Sequence, residues 1–436
     1  MSHATFQPAD LTTFCRLDEL RLEAIGQSLE PDRAIIWCRV TDPDPWCRRC
    51  GAAGVLRDTV MRTLAHEPFG HRPTILQIRV RRYRCSWCRK VWREDTSRAA
   101  PERARISRAG VRYALEALVI DHLTVARAAA NLGVSWHTAN TAILTEGKRL
   151  LIDDPHRFDG VTTIGVDEHV WRHTRRGDKY VTVIIDLTPV RERRGPARLL
   201  DMVPGRSKQV FSDWLAARTP EWRRRIEIVA MDGFTGFKTA SKLHLPDAVE
   251  VMDPFHVVQL AGDALDRTRQ RVQQETLGHR GRKGDPLYQV RKVLRTGEAF
   301  LTEKQQARLD AVFTDPRHAD VWRAWRVYQQ VVAAYREKYA GLGRKRLREL
   351  IDMIKATTPA WFTELRKLAY TLDRRRTDIL AYFEHPRTSN GPTEAINGRL
   401  EHLRGSALGF RNLTHYIARS LLETGGFRPR LHPQFR

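Results

Sequence analysis

The chain has 436 residues, and its 75 Lys and Arg against 51 Asp and Glu give a formal charge of 75 − 51 = +24. Such an excess favours a polyanionic partner, most commonly nucleic acid. The N-terminus lacks the basic-then-apolar order of a secretory signal, and no apolar run approaches the ~20 residues that span a bilayer. We therefore expect a soluble intracellular protein of several domains rather than a membrane protein.

After a weakly patterned N-terminal segment (residues 1–45), two CxxC pairs dominate the next stretch. They are Cys47 with Cys50 and Cys85 with Cys88, separated by residues 51–84. Two such turns supply the four thiolates of a closed tetrahedral zinc site, whereas a redox-active dithiol needs one pair alone. Residues 46–100 are therefore predicted to be a zinc ribbon that holds one structural Zn²⁺.

Basic residues crowd around the second cysteine pair. The alternating run 74–84 predicts a strand that carries Arg82 and Arg84, and Arg89 and Lys90 follow the last cysteine. A charge run is commonly a solvated face, but next to a zinc ribbon it favours contact with DNA phosphates. We predict that these four residues bind the DNA backbone.

Residues 101–157 have a helical pattern typical of a helix-turn-helix DNA-binding domain. Small residues precede Gly133 at the turn, and Ser135 is placed as the N-cap of a second helix. That helix is predicted to present Trp136, His137 and Asn140 to a major groove, together with Ser135 at its start. An ordinary helical hairpin is the alternative reading of the same pattern.

Strand patterns begin after residue 160 and alternate with helices up to residue 256. The order β-β-β-α-β-α-β is that of a ribonuclease H-like core, in which the first and fourth strands lie side by side. The first predicted strand carries Asp167, and the fourth ends at Asp232. We therefore expect these two carboxylates to meet, although residues 168–231 separate them.

The rest of the chain is predicted to be helical. Residues 257–385 form an all-α insertion, in which Trp322 and Trp325 are candidates for stacking on a DNA base, with burial in a core as the alternative. Residues 386–425 complete the core and start a helix near Glu394, and residues 426–436 form a basic tail. Divalent cations prefer clustered oxygen ligands, so Asp167, Asp232 and Glu394 together predict a two-metal site, although each alone could be a surface carboxylate.

These motifs resemble those of the DDE transposases of bacterial insertion sequences, and in particular the insertion-sequence-L-three family. The resemblance runs from about residue 47 to about residue 410. It rests on the two CxxC pairs, the helix-turn-helix, Gly165-Val-Asp-Glu-His, Met231-Asp-Gly, Asp253-Pro-Phe-His and Ser389-Asn-Gly-Pro-Thr-Glu-Ala-Ile-Asn.

The resemblance implies a fold, a reaction and its partners. It implies a multidomain α+β protein with a ribonuclease H-like α/β core interrupted by the helical insertion. It makes Asp167, Asp232 and Glu394 the catalytic carboxylates, with Mg²⁺ or Mn²⁺ as cofactor, and His256 a catalytic or a structural residue. The expected activity is cleavage and strand transfer of DNA after binding of the terminal inverted repeats. Expected partners are double-stranded transposon ends and target DNA, bound by a dimer or higher oligomer in the bacterial cytoplasm at the nucleoid.

Two other functions fit parts of the sequence. A sequence-specific DNA-binding regulator would use the nuclease-like domain as a structural unit, but it would not need all three acids. A structure-specific nuclease of the same fold, such as a junction resolvase, would need neither the zinc ribbon nor the helical insertion.

Overall fold

The computed structural model describes residues 10–174 and 178–432 of a mixed α+β protein; residues 1–9 of the N-terminal segment and residues 433–436 of the basic tail lie outside the described residues. The chain forms two compact units. The first unit is Met1–Arg157 with Gly405–Arg436, and the second unit is Phe158–Arg404. The finer division into domains remains a prediction.

The first unit is built on a sheet with the strand order β1-β2-β4-β3, in which β5 pairs with β4. The strands are β1 (Leu22–Leu29), β2 (Ala34–Val40), β3 (Gly54–Phe69), β4 (Arg72–Cys85) and β5 (Val91–Arg93). The long β3–β4 hairpin turns at Gly70, whose φ of 62° lies in the left-handed region that glycine adopts without a steric penalty. Alternate residues of β4 are buried, as expected of a strand with one face on a core.

The longer helical segments of the first unit before residue 148 are α1 (Leu11–Phe14), α2 (Arg108–Val119), α3 (Val125–Leu132) and α4 (Trp136–Gly147). Gly133 ends α3 with φ 63°, and the Ser135 side chain accepts the Thr138 N–H at 3.2 Å to cap α4. The predicted pair of helices with a glycine turn and a serine cap is therefore confirmed as local structure.

The sheet of the second unit has the order β10-β9-β6-β7-β8. Its strands are β6 (Thr163–Val170), β7 (Tyr180–Asp186), β8 (Arg198–Pro204), β9 (Ile228–Met231) and β10 (Val249–Met252). β6, β7 and β8 are antiparallel neighbours, whereas β9 runs parallel to both β6 and β10. The predicted adjacency of the first and fourth strands is confirmed.

Helices cover this sheet because its central strands are apolar on both faces. The connecting helices are α5 (Thr188–Arg191), α6 (Lys208–Ala216), α7 (Pro220–Arg225) and α8 (Thr235–His244). Phe211, Trp214 and Phe237 from α6 and α8 pack with Val166 of β6 in one buried cluster.

Between β10 and the Glu394 helix, the secondary structure of the described chain is entirely helical. The helices are α9 (Pro254–Leu277), α10 (Pro286–Gln289), α11 (Glu303–Phe313), α12 (Ala319–Arg336), α13 (Ala340–Thr357), α14 (Thr363–Arg374) and α15 (Arg376–Glu384). They share one hydrophobic core, which includes Leu265, Val331, Ile351 and Leu372.

The chain continues through α16 (Gly391–Ser406), α17 (Leu413–Thr424) and α18 (Arg428–Leu431). Shorter turns are the 3₁₀ segments Asp18–Leu20, Pro155–Phe158, Val293–Arg295, Glu298–Phe300 and Pro316–His318, and the π-helical turn Lys148–Ile152. None of the helices in the described ranges is both long and apolar enough to cross a bilayer.

Candidate active site and metal centre

The four cysteines of the CxxC pairs meet at one point of the first unit. The sulfur atoms of Cys47, Cys50, Cys85 and Cys88 all lie within 4.8 Å of one another. Cys47 Sγ is 3.6 Å from Cys88 Sγ, and Cys50 Sγ is 3.5 Å from Cys85 Sγ. Zn–S bonds of ~2.3 Å in a tetrahedron place sulfurs ~3.8 Å apart, so the donor set fits a zinc ion.

The β3–β4 hairpin brings the two pairs together, because Cys47 and Cys50 lie just before β3 and Cys85 is the last residue of β4. The N–H groups of Trp87 and Cys88 point at Cys85 Sγ, at 3.4 and 3.3 Å. Burial opposes ionisation of this thiol, but these N–H groups and the neighbouring thiols lower its pKa to about 6. The thiolate form, which binds zinc, is thus favoured for Cys85 at neutral pH. For Cys50 the Ala52 N–H opposes the effect of the neighbouring thiols and burial, which raise its pKa to about 11, so a metal ion would have to displace this proton.

The predicted phosphate-binding residues differ in their availability. Arg84, Arg89 and Lys90 are exposed. Arg82 is half-buried, and its guanidinium makes two hydrogen bonds to the Asp58 carboxylate. This ion pair uses two of the five N–H donors of the guanidinium, so phosphate contact by Arg82 stays a prediction, and Arg84 on the same strand is the more exposed of the two.

Helix α4 places its predicted contact residues on different faces. Ser135, Trp136 and His137 are exposed, whereas Asn140 is only 5% exposed. Asn140 shares the buried face of α4 with Ile143, Leu144 and Gly147, which lie three, four and seven residues later. The prediction that Asn140 contacts a base edge is therefore wrong, and the exposed neighbour on α4 is Thr141.

The two candidate stacking tryptophans also separate. Trp325 is 4% exposed, lies in the helical core and packs on Phe313 with ring centroids 5.5 Å apart. Its predicted contact with a DNA base is wrong, since the ring already fills the interior. Trp322, one turn earlier, is 45% exposed.

Asp167 and Asp232 lie at matching positions of adjacent strands. Val166 of β6 is paired with Met231 of β9; Asp167 is the next residue of β6, and Asp232 directly follows the end of β9. Neighbouring strands are ~4.8 Å apart, so both carboxylates lie at the same edge of the sheet. Local hydrogen bonds orient them: Glu168 N–H donates to Asp167 Oδ1 and Phe234 N–H donates to Asp232 Oδ1, both at 2.8 Å.

Helix α16 carries Glu394 to the same edge. Asn397, three residues after Glu394, donates from Nδ2 to Asp167 Oδ2 at 3.1 Å. At the start of the helix, the Asn390 N–H donates to Asp253 Oδ1 at 2.7 Å. These two hydrogen bonds link α16 to the ends of β6 and β10.

His256 and Asp253 flank the turn after Asp232. The His256 ring lies so close to Gly233 that a Cβ atom there would be 2.4 Å from Nε2. The Asp253 side chain accepts the His256 N–H at 3.2 Å and caps α9. His256 is thereby held beside the Asp232 turn, where it packs on the glycine.

Burial and neighbouring carboxylates raise the pKa of two acids in this group, Asp167 and Glu394. Burial, with added repulsion from Asp232 and Glu394, raises the pKa of Asp167 to about 7, against the opposing hydrogen bond from Glu168. Burial and the charge of Asp253 also raise the pKa of Glu394. The site therefore has an excess of negative charge that a cation would relieve.

An orphaned acceptor supports the same conclusion. Asn397 Oδ1 is buried and has no hydrogen-bond partner in the described structure. Carboxylate and amide oxygens are the ligands that Mg²⁺ and Mn²⁺ prefer, so these residues fit a divalent ion. The oxygen atoms of the three carboxylates are farther apart than the ligands of one bound ion. Within the described residues, only the cysteines form a group of three or more His, Cys, Asp or Glu whose ligand atoms all lie within 4.8 Å of one another.

Sequence reasoning missed one buried ionic group beside the site. Arg375 donates from Nη1 to the Gly233 carbonyl at 3.2 Å and from Nε to Asp378 at 2.6 Å. Lys238 also binds Asp378, with both oxygens 2.7 Å from Nζ. No local motif identifies these residues; a charged Arg and Asp three apart is also the pattern of an ordinary helical surface.

Comparison with known proteins agrees with the predicted family. A family model described as transposase, that of the DDE transposases of the ISL3 type, matches residues 164–420. The transposase for insertion sequence element IS1557 of Mycobacterium tuberculosis is 28% identical over 330 residues, covering 69% of this chain and 69% of the relative. The transposase for IS1001 of Bordetella parapertussis is 24% identical over 258 residues, covering 57% and 58%.

A solved structure is also similar in part. A chain of the Drosophila P element transposase strand transfer complex superposes with a TM-score of 0.42 at 10% identity, covering 72% of this chain and 91% of the other. The family model spans more than half of the chain, including Asp167, Asp232 and Glu394. The chain therefore belongs to the ISL3 family of DDE transposases, the insertion-sequence-L-three family.

Proposed function

We propose that Asp167, Asp232 and Glu394 are the carboxylates with which this transposase carries out metal-dependent DNA cleavage and strand transfer. The observation that carries the proposal is the matching position of Asp167 and Asp232 on parallel strands, with the Glu394 helix hydrogen-bonded to Asp167 through Asn397. The sheet order, in which β6 has β9 and β7 as neighbours, supports a ribonuclease H-like core.

The carboxylates would hold one or two Mg²⁺ or Mn²⁺ ions, which supply Lewis acidity and stabilise the attacking and leaving oxygens of phosphoryl transfer. The protein's own residues position the ligands. Asn397 fixes one oxygen of Asp167, and Asp253 holds the first turn of the Glu394 helix. His256 would orient the Asp232 turn through its contact with Gly233, and from there it could also contact the scissile phosphate.

The first unit is proposed to recognise the terminal inverted repeats. Its cysteine cluster would bind one structural Zn²⁺ and hold together the open end of the β3–β4 hairpin, opposite the Gly70 turn, as a zinc ribbon. Exposed Arg84, Arg89 and Lys90 around it would contact phosphates. Helix α4 would be the recognition helix of a helix-turn-helix, with His137 and Trp136 exposed at its N-terminal end, which is the end such helices present to bases.

Oligomeric state follows from the number of reaction sites. A transposable element has two ends, and one chain provides one set of these three carboxylates. We therefore propose that at least two copies assemble on DNA to cut both ends and join them to target DNA.

Conservative amide substitutions test the catalytic assignment. Asp167→Asn, Asp232→Asn and Glu394→Gln should each abolish cleavage and joining of DNA that carries the element's ends, while the fold and end binding persist. Asp247→Asn and Glu303→Gln change exposed acids of the same unit and serve as matched controls that keep activity. A Glu394→Gln protein that cuts at the normal rate would overturn the proposal.

A further inference from the structure

A small pocket lies on the surface of the second unit, on the face of α8 that begins just after the Asp232 turn. Its volume is about 250 Å³, smaller than that of typical sites for drug-sized ligands. It is lined by Thr235, Lys238, Thr239, Lys242, Arg374 and Arg375. Its lining thus combines two hydroxyl groups and four cationic side chains with no carboxylate.

Two carboxylates outside the pocket lining neutralise part of this positive charge. Lys238 lies 2.7 Å from Asp378 and 3.8 Å from Glu250, and Arg375 also binds Asp378. Lys242 and Arg374 are exposed, and neither makes an ion pair within the described residues. Four cations against two carboxylates leave the pocket positive.

Arg375 indicates that the pocket is a built site. Its side chain is buried, with 5% exposure, and among the described residues its Nη2 has no hydrogen-bond partner. A buried guanidinium whose one carboxylate partner is shared with Lys238 keeps unneutralised positive charge, and an anion in the pocket would stabilise that charge. Its Nη1 meanwhile binds the Gly233 carbonyl, next to Asp232.

The start of α8 also favours a negatively charged ligand in the pocket. This ten-residue helix begins at Thr235 without a side-chain cap. Uncapped N–H groups and the helix dipole favour a negative group at this end. Thr235, Lys238, Thr239 and Lys242 are three or four residues apart, so one helical face presents them together.

We propose that this pocket binds one backbone phosphate of the DNA substrate and so fixes the strand beside the catalytic Asp232 turn. The inference depends on the proposed placement of the active site at Asp232. The Arg375 guanidinium would attract the bound phosphate while it donates a hydrogen bond to the Gly233 carbonyl of that turn. The pocket is therefore a positioning site for DNA, separate from the metal-binding carboxylates.

The test measures DNA affinity of the full chain in the absence of divalent metal, so that no cleavage occurs. The probe is a duplex with one end of the element and its flanking DNA, in which neutral methylphosphonate linkages replace phosphates one at a time. Lys242→Ala with Arg374→Ala should make the slope of log affinity against log salt shallower by about 0.9, the value for one lost phosphate contact. One methylphosphonate position should weaken wild-type binding and have no further effect on this double variant.

The matched control is Arg348→Ala with Lys367→Ala, which removes an exposed Arg and an exposed Lys from α13 and α14 of the same unit, neither of them in an ion pair with another described residue. Equal losses in the two double variants would show a general charge effect and overturn the proposal. A wild-type salt slope in Lys242→Ala with Arg374→Ala would also overturn the proposal. The same holds if every methylphosphonate linkage that weakens wild-type binding weakens binding of this double variant as well. Asp167→Asn should bind with the wild-type slope, so a failure of the catalytic assignment is seen separately, in the cleavage assay.

Discussion

Asn397 and Asp167 are joined by a 3.1 Å hydrogen bond from the amide Nδ2 to the carboxylate Oδ2, although they are far apart in the sequence. The bond connects the helix that carries Glu394 to the strand that carries the first proposed catalytic aspartate. The amide oxygen Oδ1 of Asn397 is buried and has no hydrogen-bond partner among the described residues, so it can still accept a bond or bind a cation. Asn397 is thus placed to orient a metal ligand.

Replacement of Asn397 should therefore impair catalysis more than DNA binding. Residues that orient metal ligands typically cost about 10–100-fold in activity or metal affinity when changed, so Asn397→Ala should slow cleavage by that factor and raise the Mg²⁺ concentration needed for half-maximal rate. Single-turnover cleavage over a Mg²⁺ titration measures both effects. Ala395→Ser, at an exposed position of the same helix, is the control; a wild-type Mg²⁺ dependence in Asn397→Ala would contradict the role.

Zinc content provides a second prediction. Purified protein should contain about one Zn²⁺ per chain, because four thiolates close one tetrahedral site. Cys47→Ser with Cys85→Ser should remove the metal and weaken binding to the element's ends, since the open end of the β3–β4 hairpin loses its crosslink. Elemental analysis gives the stoichiometry, and Cys15→Ser, which changes a cysteine outside the cluster, should keep one zinc. Full zinc occupancy in the double variant would refute the assignment.

Stability of the chain should decrease in mild acid because of His66. Its side chain is 1% exposed, its Nδ1 lies 2.8 Å from Ser107 Oγ, and burial lowers its pKa from 6.5 to about 4. The unfolded chain binds the proton first, so the contribution of neutral His66 is complete above pH 6.5 and is lost as pH falls to about 4. One pKa unit corresponds to ~1.4 kcal/mol, so this loss amounts to about 3 kcal/mol.

The free energy of unfolding at pH 7 and pH 4.5 measures this loss. His66→Gln can keep a neutral donor and acceptor, and it should reduce the difference between the two pH values. His169 of the second unit is also buried with a pKa lowered to about 4, so part of the acid sensitivity should remain in the variant. His71→Gln, at an exposed position, should behave as wild type; an unchanged pH dependence in His66→Gln would contradict the prediction.

Helix α4 gives a prediction that separates recognition from packing. His137→Ala should reduce discrimination at one base pair of the terminal repeat by ~1–3 kcal/mol, because an exposed side chain near the helix start can reach a base edge. Asn140→Ala should instead lower the melting temperature and affect all sequences alike, since Asn140 is buried. Affinities for end duplexes with single base-pair changes, together with thermal melts, distinguish the two; a selective loss of specificity in Asn140→Ala would reverse the assignment.

The sequence alone determined features that depend on neighbours along the chain. Period-two and continuous apolar runs predicted β6, β7 and β8, and the glycine turn with its serine cap predicted α3 and α4, because strand and helix periods and caps are local properties. The CxxC pairs likewise predicted that the four cysteines cluster, because a tetrahedral zinc site requires all four sulfur atoms to lie around one ion. The three acids were identified because each lies at a recognisable strand end or helix start.

Only the tertiary structure decided which side chains are available and which distant residues meet. Trp322 and Trp325 have the same local pattern, yet packing against Phe313 buries one ring and leaves the other exposed. The burial of Asn140 and the ion pair of Arg82 likewise depend on neighbouring residues that the periodicity of the sequence does not reveal. The contact of Arg375 with Gly233, across 142 residues, arises from helix packing against the sheet. Burial and long-range hydrogen bonds are set by the whole fold, because they depend on which surfaces face each other after the chain has closed on itself.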